Sequence, residues 1–283
     1  MRWLSFETAG KASFGVISAS GDGVVDVGAS APDLADLKAA IAAGRLGALA
    51  AAAANRPADL SLSGLRFLPV IPNPAKILCA GLNYRDHQAE TGRGGEPYPT
   101  IFMRLAAAQV AHDQAMLVPA ESTALDYEGE IALIVGKGGR RIDKADWLAH
   151  IAGFAPYNDG SVRDWQRHTS QFTPGKNFVR TGGFGPWMMT PDEIGDPSEL
   201  DLTTRLNGEV MQHAKASQMV FSFGDLVAYC STFVDLEPGD VIVTGTPGGV
   251  GAARTPPVWL RAGDRIEVEI KPIGTLVNSV ESE

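Results

Sequence analysis

Three acidic residues stand at alternate positions within one segment of the chain. Asp126, Glu128 and Glu130 precede the apolar run at residues 131–135. In a β-strand, residues two apart face the same way, so the three carboxylates would share one face. Buried carboxylates repel one another unless a cation lies between them, and a hard cation such as Mg²⁺ prefers oxygen ligands. The spacing is compatible with a metal site, but on spacing alone a solvated polar face on an edge strand is the favoured interpretation.

A further carboxylate, Asp159, follows the apolar run at residues 151–157. Polar residues typical of a helix start come next. Arg163 and Gln166 would share a face of that helix because they are three residues apart. An arginine and an amide beside a carboxylate could hold the carboxylate and carbonyl groups of a substrate. An ordinary capped helix with solvated side chains is the alternative.

His87 and Glu90 form a third candidate group, again three residues apart. If the segment is helical, the two side chains share a face, and the carboxylate can orient the imidazole ring for proton transfer. A loop histidine without a chemical role is the alternative that the spacing alone leaves open.

Five segments that contain these residues resemble, in the same order, the motifs of the fumarylacetoacetate hydrolase superfamily. Any one of the motifs is weak evidence, whereas five in order are specific. The resemblance covers about residues 70 to 280. The segments are AGLNYRDHQAE at 80–90, YEGE at 127–130, NDGSVRDWQ at 158–166, GKNF at 175–178 and TGTPGGVG at 244–251.

The resemblance implies a catalytic domain of rolled mixed β-sheet, a bound Mg²⁺ ion, with Mn²⁺ or Ca²⁺ as alternatives, and a homodimer. It assigns the metal to three carboxylates, Glu128, Glu130 and Asp159. It assigns proton transfer and carbonyl polarisation to His87, Glu90 and Lys176. It assigns substrate contacts to Arg163, Gln166 and Thr246.

Three further positions bear on the resemblance. Arg104 stands where relatives often have a basic residue near the site. Some members have another aspartate ligand, for which Asp86 and Asp126 are both candidates. Relatives often carry a bulky residue where this chain has Gly160, so the glycine would either widen the pocket or loosen the strand end.

The resemblance implies a metal-dependent hydrolase that cleaves a C–C bond of an acylpyruvate or 1,3-diketo acid, as in aromatic catabolism, and this choice rests on how frequent the reaction is in the family. His87, oriented by Glu90, would activate a water molecule that attacks a metal-chelated dicarbonyl, and Lys176 would stabilise the oxyanion. Decarboxylation of an oxaloacetate-like diacid needs only a metal-stabilised enolate, and keto–enol isomerisation of a 2-hydroxy-diene-dioate needs a base and an acid, so both are alternatives. An inactive homologue that serves as a metal-binding scaffold is the non-enzyme alternative.

The composition sets the context for this site. With 45% hydrophobic and 20% charged residues among 283, the chain is typical of a globular protein. A net charge of −9 disfavours nucleic-acid binding, and a small anionic keto acid would need local positive charge. Two isolated cysteines exclude a thiolate zinc site. The first residues lack a signal-peptide pattern and no apolar run is long enough for a bilayer, so we expect a cytoplasmic protein without membrane contact.

The elements that must position the site are mostly strands. We predict an α+β, β-dominated fold, with a small N-terminal α+β domain at residues 1–70 and the catalytic domain at 71–283. The main predicted strands are at residues 126–135, 200–206, 240–244 and 265–270. The predicted helices are at 143–153, 222–234 and 33–54, the last divided by Gly44 and Gly47.

Overall fold

The structure is a computed structural model that describes residues 1–283. It contains twenty β-strands, six α-helices and seven short 3₁₀ helices. The strands are β1 (Arg2–Thr8), β2 (Lys11–Ile17), β3 (Gly23–Asp26), β4 (Leu60–Ser61), β5 (Arg66–Phe67), β6 (Ile77–Gly81), β7 (Thr100–Arg104), β8 (Gln109–Ala111), β9 (Met116–Val118), β10 (Leu125–Asp126), β11 (Gly129–Val135), β12 (Ile151–Asp159), β13 (Ser161–Val162), β14 (Gly182–Phe184), β15 (Met188–Met189), β16 (Asp201–Leu206), β17 (Glu209–Lys215), β18 (Val241–Val243), β19 (Arg265–Lys271) and β20 (Gly274–Ser282). The helices are α1 (Leu37–Ala42), α2 (Leu46–Ala53), α3 (Arg85–Thr91), α4 (Arg163–Gln166), α5 (Thr173–Lys176) and α6 (Phe223–Phe233).

The largest sheet has thirteen strands, and its main path runs β4-β3-β2-β1-β15-β12-β11-β18-β6-β7. The strands of the first 70 residues join it through β1, which pairs antiparallel with β15. A second sheet, in the order β17-β16-β19-β20-β9, packs against β11 and β12. The α+β, β-dominated fold class is confirmed, whereas the domain boundary near residue 70 stays a prediction.

Strand β11 is buried along its whole length because it is apolar on both faces. Ile131 and Leu133 pack in a core cluster with α6 and with β19 of the second sheet. Ala132 and Ile134 pack in another cluster with side chains of the N-terminal strands. Two cores on opposite sides therefore fix the strand that leads into the carboxylates.

The strand predicted at 126–135 is interrupted, because β10 ends at Asp126 and β11 begins at Gly129. At the break the N–H of Glu128 donates to the side chain of Asn158 (3.0 Å) rather than to a neighbouring strand. A Cβ on Gly129 would lie 2.0 Å from Thr204 Oγ1, so the chain passes too close to β16 for a larger residue.

The helix predicted at 143–153 is wrong. Only Trp147–His150 forms a 3₁₀ helix, and β12 begins at Ile151, where pairing with Val135 of β11 takes over the backbone hydrogen bonds. The helix predicted at 33–54 is indeed divided, and its break lies at Gly44 (φ +65°), whereas Gly47 lies within α2. The predicted first residues of that helix are not helical, because Asp36 caps α1 by accepting from Ala39 N.

The predicted start of one helix and three of the predicted strands are confirmed by the structure. Helix α6 begins with a capping box in which the Ser222 and Asp225 side chains each accept from the other's backbone N–H. The strands predicted at 200–206, 240–244 and 265–270 correspond to β16, β18 and β19. The cysteines, Cys79 and Cys230, are both free and buried. The longest helix has eleven residues, and no helix has the length and hydropathy needed to cross a membrane.

Candidate active site

A cavity of about 570 Å³ brings the sequence motifs together. Its walls come from the end of β6, from α3 and α4, from the start of β11 and from the loop after β18. Eight of the nine site residues predicted from the sequence line it, and the ninth, Asp159, is fully buried and contacts Lys176. The roles that the resemblance gives these residues stay predictions, and the geometry below shows what each can do.

Three carboxylates meet where β11 begins and β12 ends. The pairing of Gly129 with Asn158 sets Glu128 and Glu130 beside Asp159, and Asp159 N donates to Glu128 O (2.8 Å). One carboxylate oxygen from each of the three side chains lies within 4.8 Å of the others, and all three residues are buried. Such a set of oxygen donors could hold a hard divalent cation.

Three cationic side chains contact two of these carboxylates. Lys176 Nζ lies 2.6 Å from Glu128 Oε2 and 2.6 Å from Asp159 Oδ2. Arg163 Nη2 is 2.6 Å from Glu128 Oε1, and Arg104 Nη1 is 2.5 Å from Asp159 Oδ1. Glu130 has no cationic partner, and its Oε2 accepts from the backbone N–H of Gly245 (2.5 Å).

The acidities follow from this unequal pairing. Burial alone would raise the pKa of Glu128, but Arg163 and Lys176 outweigh it and hold the pKa at about 2. Burial, Asp159 and Glu128 all raise the pKa of Glu130 well above its usual range. Burial lowers the pKa of Lys176, yet Asp159 and Glu128 more than offset it, so Lys176 stays cationic. Glu130 is therefore the carboxylate whose ionised form has no cationic partner in the protein, and a divalent cation would provide one.

His87 and Glu90 lie on α3 as the spacing predicts. His87 Nδ1 is 2.7 Å from Glu90 Oε1, and His87 is buried. The second carboxylate oxygen of Glu90 accepts from Gly249 N (2.8 Å), which ties α3 to the loop after β18. Because a carboxylate accepts, Nδ1 carries the proton and Nε2 has the free lone pair. The pair could therefore move a proton at Nε2 in the cavity.

The residues assigned to substrate contact reach the cavity but already have protein partners. Arg163 donates from Nε to Asp126 Oδ2 (2.8 Å) and from Nη1 to Gln166 Oε1 (3.0 Å), in addition to its contact with Glu128. Thr246 Oγ1 donates to a backbone carbonyl, Gly129 O (2.9 Å), and accepts from a buried glutamine side chain. Arg163 and Thr246 are thus engaged within the protein, whereas the Gln166 side chain makes only the bond that its Oε1 accepts from Arg163.

Neither candidate for an extra aspartate ligand belongs to the carboxylate cluster. Asp126 is fully buried and accepts from the backbone N–H groups of Gly251 (2.8 Å) and Ala252 (3.0 Å) as well as from Arg163. It therefore holds the loop after β18 in place. Asp86 accepts from His87 N (2.9 Å) and does not line the cavity.

Gly160 does not widen the pocket, since it is not among the lining residues. A Cβ there would lie 2.2 Å from the backbone oxygen of Thr181, so close packing explains the glycine. Its carbonyl accepts from Arg104 Nη1 (2.8 Å), which ties the end of β12 down instead of loosening it. Arg104 is indeed near the site, fully buried beneath the carboxylates.

Among the residues of the cavity wall that were not singled out from the sequence are two aromatic and two basic ones. Phe102 and Phe172 form an edge-to-face pair with centroids 5.7 Å apart, and the Phe102 ring lies 4.9 Å from Lys176 Nζ. Arg93 and Arg167 line the mouth. The spacing of four between Arg163 and Arg167 is a helical signal that could have identified the latter.

Comparisons with known proteins agree with this architecture. Residues 76–281 match the family model described as Fumarylacetoacetate (FAA) hydrolase C-terminal. A mitochondrial oxaloacetate tautomerase of Bos taurus is 38% identical, over 99% of this chain and 91% of its own length. An oxaloacetate tautomerase of Bacillus subtilis (strain 168) is 42% identical, over 78% of this chain and 74% of its own.

Two solved structures share the fold over the full chain. Fumarylacetoacetate hydrolase from Exiguobacterium antarcticum is 33% identical with a TM-score of 0.85, covering 100% of both chains. Maleylpyruvate hydrolase from Sphingobium sp. SYK-6, in complex with manganese(II) ion and pyruvate, is 28% identical with a TM-score of 0.81, covering 100% of this chain and 99% of that one. Family model, sequence relatives and fold agree, and the chain belongs to the fumarylacetoacetate hydrolase superfamily.

Proposed function

We propose that the chain is a divalent-metal-dependent keto–enol tautomerase of oxaloacetate or a closely related 2-keto diacid. The observation that carries the proposal is the cavity in which a buried cluster, Glu128, Glu130 and Asp159, faces the same space as the His87–Glu90 pair. Curated relatives that cover most of the chain are oxaloacetate tautomerases, which favours this reaction over the hydrolysis expected from the sequence.

The metal site fits the residues that are present. Glu128, Glu130 and Asp159 would hold the ion, and Glu130 has no other cation to offset its charge. A bound divalent ion stabilises the negative charge of an enolate as a Lewis acid. Lys176, kept cationic by its carboxylate partners, adds a hydrogen-bond donor and a second positive charge in the cavity. A relative of the same fold is known with manganese(II), which supports a divalent ion without selecting Mg²⁺.

The chain's own residues provide the proton transfer. His87 Nε2 takes a proton from C3 of the keto form, and the electron pair of the C–H bond forms the C2–C3 double bond. The negative charge moves to the C2 oxygen, to which the protonated ring returns the proton. Glu90 keeps the ring in the required tautomer throughout. The protein ends in the protonation state in which it began.

Hydrolysis of an acylpyruvate is the second candidate, because the same pair could take a proton from water instead of carbon. A maleylpyruvate hydrolase shares the fold, which supports this candidate. Decarboxylation of oxaloacetate would break the C3–C4 bond instead of a C3–H bond, releasing CO₂ and leaving the enolate of pyruvate, which a cation would stabilise in the same way. Mg²⁺ as the native ion, the homodimer and the cytoplasmic location likewise stay predictions.

A substrate panel separates the three reactions. Purified protein is incubated with oxaloacetate and with acylpyruvates, with Mg²⁺ or Mn²⁺ and with EDTA, while enol absorbance and pyruvate are both followed. Tautomerase activity accelerates the change in oxaloacetate enol absorbance without release of pyruvate. Pyruvate from oxaloacetate indicates decarboxylation, and pyruvate from an acylpyruvate indicates hydrolysis. Absence of tautomerase activity in the metal-loaded protein would contradict the proposal, whether or not one of the other two reactions is seen.

A further inference from the structure

The arginine that the sequence resemblance assigns to the substrate is already engaged by the protein. Arg163 contacts Asp126, Glu128 and Gln166 at 2.6–3.0 Å. The same holds for Lys176, which lies between Glu128 and Asp159. These two cations mainly balance the carboxylate cluster. A substrate with a second carboxylate therefore needs positive charge from elsewhere in the cavity.

Arg93 and Arg167 are the cavity residues that can provide it. Both line the cavity and are exposed at its mouth. Each donates its backbone N–H, to Gln88 O and Asp164 O respectively, while their guanidinium groups make no hydrogen bond or ion pair. Of the acidic residues in the cavity wall, Glu90 contacts His87, and Glu128 and Glu130 belong to the carboxylate cluster. No carboxylate forms an ion pair with either arginine.

The two arginines approach the cavity from different elements. Arg167 is the C-cap of α4, one turn after Arg163 at the start of this short helix. Arg93 follows the last residue of α3 and its left-handed cap, Gly92, close to the His87–Glu90 pair. Thr169 and Ser170 lie in the same wall and add hydroxyl groups. The mouth thus combines two free guanidinium groups with neutral polar donors.

We propose that Arg93 and Arg167 form a subsite for the distal carboxylate of a dicarboxylate ligand, whose keto-acid end lies at the carboxylate cluster. The proposal rests on the proposed function for the place of the keto-acid end. Guanidinium groups bind carboxylates with paired, charge-assisted hydrogen bonds, and none of these donors is otherwise occupied. In a chain with a net charge of −9, two unpaired cations at one cavity mouth also attract a dianion locally.

Binding of two stable 2-hydroxy acids tests the subsite without relying on turnover. Malate and lactate share the 2-hydroxy acid head, and only malate has a distal carboxylate. Titration calorimetry with Mn²⁺-loaded protein is expected to give a Kd for malate at least about tenfold lower than the Kd for lactate. The reason is that each charge-assisted hydrogen bond at a partly solvated site raises the binding affinity by about fivefold to tenfold. Arg93→Gln and Arg167→Gln should each remove part of this preference, and the double variant most of it, with lactate binding unchanged.

Arg261→Gln is the matched control, because it removes the same charge from an exposed residue outside the cavity wall. It should keep the wild-type ratio of malate to lactate affinity. Equal binding of both acids by the wild-type protein, or a double variant that keeps the wild-type ratio, would overturn the subsite even if oxaloacetate is turned over. An arginine-dependent preference for malate without turnover of oxaloacetate would instead uphold the subsite and contradict the proposed function.

Discussion

Replacing Lys176 by methionine tests whether this side chain balances the buried carboxylates. Lys176 is 1% exposed, and each of its two ion pairs, with Glu128 and Asp159, has a length of 2.6 Å. At an effective dielectric constant of about 20, each pair has a Coulomb energy of about 6 kcal/mol, and burial of the ammonium group offsets several kcal/mol of the sum. Removing one partner of such a buried network costs about 3–5 kcal/mol, because the remaining charges are left uncompensated.

This loss is large enough for thermal unfolding to detect. With an unfolding entropy of about 2.1 cal/mol/K per residue, a loss of 3–5 kcal/mol in this chain lowers Tm by about 5–8 °C. The assay is calorimetry of metal-free Lys176→Met beside the wild-type protein, followed by titration with Mg²⁺ or Mn²⁺. Metal is expected to recover part of the loss, because it restores positive charge between the carboxylates.

The matched control is Lys215→Met, which removes a lysine that is also 2.6 Å from a carboxylate, Glu199, but at the surface. Exposed pairs are screened by water and salt, so this variant should keep the wild-type Tm. A metal-free Lys176→Met protein with the Tm of the wild type would refute the reasoning, since the carboxylates would then not depend on the lysine for their charge balance.

Three further predictions follow from other contacts of the site. Glu130→Gln should abolish measurable Mn²⁺ binding in calorimetry, because it removes a metal ligand. It should leave the metal-free Tm unchanged, because the raised pKa of Glu130 favours its neutral form and the amide is neutral too; a lower Tm would contradict this. In the wild-type protein, the raised pKa of Glu130 favours its neutral form without metal. Metal binding should therefore release protons, and metal affinity should increase with pH. Calorimetry in buffers of different ionisation enthalpy would detect the proton release, and a pH-independent affinity would contradict the prediction. Gly160→Ala should lower the free energy of unfolding in urea by about 1–3 kcal/mol, because the added methyl group clashes with Thr181 O. Gly47→Ala, which has open space around it in α2, should raise that free energy by up to about 1 kcal/mol. Equal stabilities of the two variants would refute the packing argument.

The sequence was most informative where chemistry and periodicity coincide. The alternate acidic residues before an apolar run predicted where the carboxylates lie, because a strand buried on both faces places its polar residues at its end. The apolar run that follows is confirmed as β11 by its burial on both faces. The capping box at Ser222 and Asp225 predicted the start of α6 for a similarly local reason.

Partnerships between distant residues could not be read from local pattern. Simple alternation put Asp126 on the same face as Glu128, but the strand breaks between them and Asp126 instead holds the loop at Gly251. The helix predicted at 143–153 gave way to β12 because long-range pairing with β11 overrides local helix propensity. Likewise, Arg104 is 55 residues from Asp159 in the chain, and only the fold shows that the two are in contact.

The rate of oxaloacetate tautomerisation with and without a divalent ion tests the central claim most directly. Enol-oxaloacetate is mixed with the protein in a stopped-flow instrument, and the decay of enol absorbance is compared for Mn²⁺-loaded, EDTA-treated and His87→Asn protein. For the Mn²⁺-loaded wild-type protein, the enol absorbance should decay well above the buffer rate, and EDTA should abolish this acceleration. In His87→Asn the decay rate should be reduced by about 10²–10⁴-fold, the usual contribution of a positioned acid–base group. A decay at the buffer rate with metal bound, or an equal rate in EDTA, would contradict the claim.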